Sequence, residues 1–187
     1  MLKSICSKMN NMEDLRIKLI KETEEKLKQA FSEDNLIIHL SRLISELDSM
    51  ITTLNNRFLM LGDKVGEVNQ ELLKKMQDAR LKNFKQLEKL MLKNCPRLTK
   101  TAGVELGANL VSQAGSIKKL AMMASSKVQL LGAEKSLFRH LKTGAKAPKF
   151  GIICLHEDVK NAENKGKAAR VLASEISKAV KQDYFGK

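Results

Sequence analysis

At 187 residues the chain has room for one compact domain with an extension or for two small units, and 43% hydrophobic with 29% charged residues excludes a disordered or membrane-embedded chain. Lys and Arg number 34 against 21 Asp and Glu, a formal charge of +13 that points to a polyanionic partner or, less often, to an anionic membrane surface. The imbalance is local: 9 basic face 9 acidic residues over 1–60, 8 face 5 over 61–93, and 17 face 7 over 94–187.

Leu15, Leu19, Leu27 and Phe31 mark a charged helix over 12–31, ended near the turn-favouring Ser32-Glu33-Asp34-Asn35. From Leu36 a coiled-coil stripe follows as Leu36, Leu40, Leu43, Leu47, Met50 and Leu54, with Ile37, Ile44, Ile51 and Phe58 beside it at every seventh residue. Gly62 breaks the helix within Leu61-Gly62-Asp63. Val65, Val68, Leu72, Met76, Ala79, Asn83, Leu87 and Leu90 then continue at spacings of three and four as far as Pro96. The result is an antiparallel hairpin of two helices, each roughly 35 to 40 Å long. Mutual packing is the ordinary use of such stripes, and self-association is the sharper alternative. A lone hairpin buries its apolar residues poorly, so it needs a partner from 12–31, the basic region or another chain.

Past Pro96 glycines divide the chain into short pieces, read as helices near 99–113, 116–124, 133–142 and 165–182. The last turns Ala168, Leu172, Ile176 and Ala179 inward and Lys167, Arg170, Lys178 and Lys181 outward. Between Gly144 and Asn164 lies a loop-rich stretch with Pro148 and an apolar segment, 150–155, expected to be buried. The expected fold is all-α.

Reactive arrangements are missing from this pattern. Cys6, Cys95 and Cys154 form no CxxC pair, and His39, His140 and His156 have no ligand spacing, so neither a metal nor a cofactor is expected. Gly132-Ala133-Glu134-Lys135-Ser136 resembles the end of a phosphate-cradling loop, but positions 129 and 130 are Gln and Leu and the first glycine is absent. No GxSxG or paired-carboxylate pattern occurs, and the expectation is a protein that is not an enzyme. Apolar runs such as Gly151 to Leu155 are too short for a bilayer, and no secretion signal opens the chain. An odd number of scattered cysteines fits a reducing compartment, and the protein is expected to be cytoplasmic and without a membrane partner.

Over 127–149 six cations, Lys127, Lys135, Arg139, Lys142, Lys146 and Lys149, face the single acid Glu134. Lys135, Arg139 and Lys142, spaced four and three, share one face of the helix that opens near Ala133, while Leu137, Phe138 and Leu141 are expected to turn inward. A cationic ridge on a rigid helix suits a phosphate backbone.

The run Gln129 to Gly144, then Pro148-Lys149-Phe150-Gly151-Ile152-Ile153, Lys165-Gly166-Lys167-Ala168-Ala169-Arg170 and the ending Asp183-Tyr184-Phe185-Gly186, closely resembles the Nop domain of box C/D guide-RNA scaffold proteins. Leu110 to Ser116 adds to the likeness upstream, and Asp34 to Ile38 with Leu47-Asp48 resembles the start of the family's coiled-coil hairpin. Three positions depart from the family pattern: Ala124 and Glu157 stand where proline is usual, and Phe150 where histidine is usual.

The resemblance implies three parts: an N-terminal helix within 1–35 that is a remnant of a methyltransferase-docking domain, a coiled-coil hairpin over 36–94, and a compact, mostly helical Nop domain over 95–187. It implies a non-catalytic scaffold that recognises a kink-turn RNA together with its bound, ribosomal-type kink-turn protein in particles for rRNA processing and 2′-O-methylation. Carried over by position, Glu134 and Lys135 would face the protein partner. Lys127, Gln129, Lys135, Arg139, Lys142, Lys149, Lys165, Lys167 and Arg170 would face the RNA. Backbone and shape reading fits this set better than base stacking, since Trp is absent and Tyr184 is the only Tyr. Docking of a fibrillarin-type methyltransferase is left open, because only the final helix of the docking domain is recognisable, and so is self-dimerisation through the hairpin. The alternative is a coiled-coil assembly or adaptor protein whose basic half binds RNA nonspecifically.

Overall fold

The computed structural model describes residues 16–25, 27, 32–61 and 66–186. Every regular element among them is helical, as expected. Helical backbone over 16–25 (α1), exposed throughout, precedes the long α2 (Glu33–Leu61) and α3 (Glu67–Asn94). Short helices follow: α4 (Pro96–Ala102), α5 (Val104–Ala114), α6 (Ile117–Met122), α7 (Ser125–Leu130) and α8 (Glu134–Thr143). A 3-10 turn (Ile152–Leu155), α9 (Glu157–Lys160) and the long α10 (Lys165–Phe185) complete the order. Of the expected 12–31 helix, Leu15 and Phe31 lie outside the described residues, as do Gly62, Asp63 and Val65 at the hairpin turn and the side chain of Val68.

The hairpin seam corrects one stripe. Ile37 and Ile44 are buried and Leu40, Leu47, Ile51, Leu54 and Phe58 half-buried, whereas Leu36, Leu43 and Met50 are 45%, 40% and 54% exposed. Two rows at heptad spacing lay side by side in the sequence, and only the place of the partner helix selects between them. On α3 the seam runs through Leu73, Met76, Arg80, Asn83, Phe84, Leu87, Leu90 and Met91, while Leu72 and Ala79 are exposed.

Arg80 is thus a cation in an apolar seam. It grips Asp48 of α2 with two hydrogen bonds, Nε to Oδ1 at 2.7 Å and Nη2 to Oδ2 at 3.1 Å, and its guanidinium lies 5.7 Å from the Phe84 ring centroid. The hydrogen bond that Arg80 donates to the Asp48 carboxylate holds the guanidinium protonated even more firmly than usual. Both side chains remain about a third exposed, so solvent screening limits the pair to about 0.5–1 kcal/mol. Its larger effect is on register, since sliding the helices would strand the charge in the seam.

Behind the hairpin, α5 is the central helix: Leu106, Gly107, Ala108, Leu110, Val111 and Ala114 are buried against α2, α3, α4 and α6. Polar ties fix the two parts together. Asp34 accepts the Ile117 N–H at 3.0 Å at the start of α6, and the Ser41 hydroxyl donates to Asn109 Oδ1 of α5 at 2.8 Å. Helix α10 closes the domain, with Ala169, Leu172, Ala173, Ile176, Ala179 and Val180 buried and Lys167, Arg170, Lys178 and Lys181 exposed, the faces expected from its spacing. It packs on α4, α6, α7, α9 and the 3-10 turn. At its far end the buried Asp183 carboxylate accepts the Leu98 N–H at 2.8 Å and the Arg97 N–H at 3.2 Å. It therefore caps α4, where Pro96 has no N–H to offer.

Elsewhere the short pieces differ from expectation. The helix expected over 99–113 is split at Gly103 into α4 and α5, and the region past Met122 holds α7 as a separate helix. The apolar segment 150–155 is only partly interior: Ile153 is fully buried, Phe150, Ile152 and Cys154 are half-buried, and Leu155 is 53% exposed.

Two backbone hydrogen bonds lock the loop before the 3-10 turn onto α7: Gly151 N–H to Gln129 O and Ile152 N–H to Leu131 O, both 2.8 Å. The approach is so close that a Cβ on Gly151 would stand 1.8 Å from the Leu131 carbonyl oxygen, and one on Gly132, whose φ is +80°, would stand 2.4 Å from Ile152 Cγ2. The two glycines of the separated motifs therefore face one contact, from opposite sides.

Gly151→Ala is expected to lower unfolding free energy by about 3 kcal/mol, since the clash is with backbone; urea denaturation checks this. Asp183→Ala leaves two N–H groups of α4 without their acceptor and is expected to cost about 2–4 kcal/mol. In hydrogen exchange the loss of protection should begin at α4.

Candidate nucleic-acid interface

Helix α8 stands off the body of the domain, and none of its residues is fully buried. At about 100° per residue its side chains fall into three sectors. Ser136, Leu137 and His140 are half-buried and face the domain, and His140 Nδ1 is hydrogen-bonded to the Ala145 carbonyl. Lys135, Arg139 and Lys142 are exposed and share a second sector. Phe138 and Leu141, 63% and 70% exposed, occupy a third, about 90° around from the cations. This corrects the inward placement of Phe138 and Leu141: the apolar residues of α8 have two directions, and only Leu137 is half-buried. Glu134 borders the apolar sector, and its Oε1 accepts the Gly132 N–H at 2.9 Å, which stabilises the turn into the helix.

A groove of about 580 Å³ opens between α7, the loop before the 3-10 turn and the start of α10. Four sequence candidates line it: Gln129, Lys149, Lys167 and Arg170. Gln129 is there in a supporting role, because its side-chain amide donates to the Lys149 carbonyl at 2.6 Å and joins the groove's two walls. The three cations are exposed. Ser126, Pro148, Asn164 and Gly166 complete much of the lining and were not singled out from sequence. Asn164 had a local signal, a capping residue just before a helix; its Oδ1 accepts the Lys167 N–H at 3.1 Å.

Lys165 is exposed in the first turn of α10 but does not line the groove, and Lys127 faces away from it on the other side of α7. The structure therefore brings three cations together in the groove and three on α8, and leaves Lys127 and Lys165 at its margins. None of these eight cations is in an ion pair among the described residues. The α10 start is also electrostatically unusual: Lys165 and Lys167 sit at the positive end of a 21-residue helix whose first turn has no acid. Each such placement costs about 0.3–1 kcal/mol and would be offset by an anion in the groove. Phe150 is half-buried and packs against the core, which anchors this loop.

Among the described residues no group of three or more His, Cys, Asp or Glu side chains could hold a metal ion, and no helix is long and apolar enough to cross a membrane.

A family model for Nop, described as "snoRNA binding domain, fibrillarin", matches residues 10–187. A NOP5 family protein from Methanocaldococcus jannaschii is 43% identical over 118 residues, covering 62% of this chain and 28% of that protein. Nucleolar protein 56 of Dictyostelium discoideum is 38% identical over 145 residues, covering 76% of this chain and 24% of the relative, and that of Saccharomyces cerevisiae is 34% identical over 163 residues, covering 81% and 32%. The chain thus spans about a quarter to a third of the length of these relatives. Among solved structures, a chain of a fibrillarin/Nop5p complex matches with a TM-score of 0.66 and 28% identity over 93% of this chain and 70% of that one.

The cytoplasmic expectation is corrected by these relatives, two of which are nucleolar proteins by name. Its physical basis was the cysteine pattern, which reports a reducing environment, and nucleus and cytosol share that property. With the match extending over nearly the whole sequence, hairpin and basic domain alike, the chain belongs to the Nop family.

Proposed function

We propose that this chain is a non-catalytic RNA-binding scaffold of box C/D guide ribonucleoprotein particles, acting in the nucleolus and recognising a kink-turn RNA together with the protein bound to it. The observation that carries this reading is α8, which presents an exposed cationic sector beside an exposed apolar one. A naked RNA would use only the first, and an apolar protein surface only the second. A composite of phosphates and an apolar protein surface satisfies both. In this reading Lys135, Arg139 and Lys142, with Lys149, Lys167 and Arg170 in the groove, neutralise phosphates, with Lys127 and Lys165 at the margins. Phe138 and Leu141 meet the kink-turn protein, flanked by Glu134. Gln129 holds the groove open. The hairpin over 36–94 is an arm, and the domain over 95–187 is the head that binds. The family description and the nucleolar relatives support the RNA class, and the structural neighbour's complex with fibrillarin supports a fibrillarin-type methyltransferase as the particle's enzyme.

One observation favours a second reading, a coiled-coil assembly protein with nonspecific RNA binding. Leu59, Met60 and Leu61, at the free end of the hairpin, are 81%, 88% and 54% exposed. Sedimentation separates the two: a tight dimer with no preference for kink-turn RNA supports assembly, whereas a preference for the RNA–protein binary complex supports recognition.

In gel shifts with kink-turn RNA, binding is expected to strengthen when the kink-turn protein is present; equal binding to any duplex, unchanged by that protein, refutes the proposal. Replacing Lys135, Arg139 and Lys142 by Ala is expected to weaken binding to naked and protein-bound RNA alike. The plot of log affinity against log salt should become shallower by about 0.7–0.9 for each phosphate that is no longer neutralised. Phe138→Ala with Leu141→Ala is expected to leave naked-RNA binding unchanged while removing about 10- to 100-fold of the gain due to the kink-turn protein.

A further inference from the structure

Helix α7 divides two grooves. Ser126, Gln129 and Leu130 face the first, already described; Lys127, with Ala124 before the helix, faces a second of about 370 Å³, whose other wall is Lys119, Met122 and Met123. Neither lining contains an Asp or Glu. Two other grooves on the molecule differ: one is lined by Asp158 and Glu175, the other by Glu105, Glu157 and Asp158. Those four carboxylates, Glu105, Glu157, Asp158 and Glu175, line neither groove beside α7.

The second groove is also firmly built. Ile117, Leu120 and Ala121 are buried, so α6 directs Lys118, Lys119 and Met122 to the surface, and Met122 is 71% exposed. The start of α6 is held by Asp34 on the Ile117 N–H and by the Ser116 hydroxyl, which accepts the Lys119 N–H at 3.0 Å. Both α6 and α7 pack on α10, which carries Lys167 and Arg170 into the first groove. One rigid frame thus holds Lys119 and Lys127 on one side of α7 and Lys149, Lys167 and Arg170 on the other.

We infer that the second groove is a further seat for RNA backbone, with Lys119 and Lys127 contacting phosphates on either side of Met122, so that the bound strand crosses α7 and the footprint exceeds the first groove. The inference rests on the proposed RNA binding by the first groove and α8, and it adds Lys119, which neither spacing nor resemblance singled out. The groove holds no aromatic ring, so the contact is to phosphate and sugar and carries no base preference.

The test uses the full chain with kink-turn RNA and its bound protein, in two forms: a short stem, and a stem lengthened by about one helical turn. Affinity is measured across a salt series for Lys119→Ala, Lys119→Arg and the Lys135, Arg139, Lys142 triple alanine variant. Lys119→Ala is expected to lower affinity about 3- to 10-fold and to reduce the salt slope by about 0.7–0.9 on the long stem only, with Lys119→Arg near wild type. The Lys119 ammonium lies close to Gly115 at the end of α5, 3.7 Å from where a Cβ there would stand, so thermal unfolding is recorded for each variant. An unchanged melting temperature with the expected fall in affinity supports the seat. If Lys119→Ala binds the long stem as wild type does while the triple variant is weakened, the inference falls and the proposed function stands. Should both variants bind as wild type, both fall. An equal fall on the two stems, or weakening only of binding to a polyglutamate probe, also overturns the seat, the latter in favour of an acidic protein partner.

Discussion

Most of the domain depends on one packed surface, the inner face of α10. Ala169, Leu172, Ala173, Ile176, Ala179 and Val180 alternate small and branched side chains, and this lets α4, α6, α7, α9 and the 3-10 turn all approach a single helix. Short helices have little stability of their own, because nucleation fixes several residues for each hydrogen bond formed. Helices of four to seven residues such as α4, α6, α7 and α9 therefore persist by packing, and α10 is the element they share. The buried Asp183 extends this dependence to the backbone, since it gives α4 the cap its own sequence lacks.

The same helix links the fold to the candidate site. Its first half brings Lys167 and Arg170 to the groove, and its buried face fixes α7 and the 3-10 turn, between which the Gly132 and Gly151 contact is made. That contact sets the direction in which α8 leaves the domain. A cationic ridge and an apolar patch on one helix are useful together only if the helix is held off the body, as α8 is, resting on Ser136, Leu137 and His140. Rigidity at the glycine contact thus serves exposure one turn later.

In the hairpin, the constraint is of another kind. Its seam is modestly buried along most of its length, with full burial confined to the end nearest the domain, at Ile37, Ile44, Leu87 and Met91. Away from that end the Arg80 and Asp48 pair supplies direction more than stability. Attachment comes from Asp34, Ser41 and the apolar contact of α5, so arm and head share one core cluster.

Length, charge asymmetry and heptad spacing determined a helical hairpin joined to a basic helical domain, because periodicity of apolar residues is a local property of the chain. The inward and outward faces of α10 were legible for the same reason, and so was the cationic row of α8. Tertiary structure alone decided which of two parallel stripes on α2 became the seam, since Leu36 and Ile37 both begin a valid heptad and only the position of α3 separates them. It also decided that Phe138 and Leu141 stay in solvent, that Gln129 joins two walls, and that Lys119 and Lys127 share a groove. Each of these depends on what lies opposite a side chain, often from a segment tens of residues away, and no spacing within one helix encodes that.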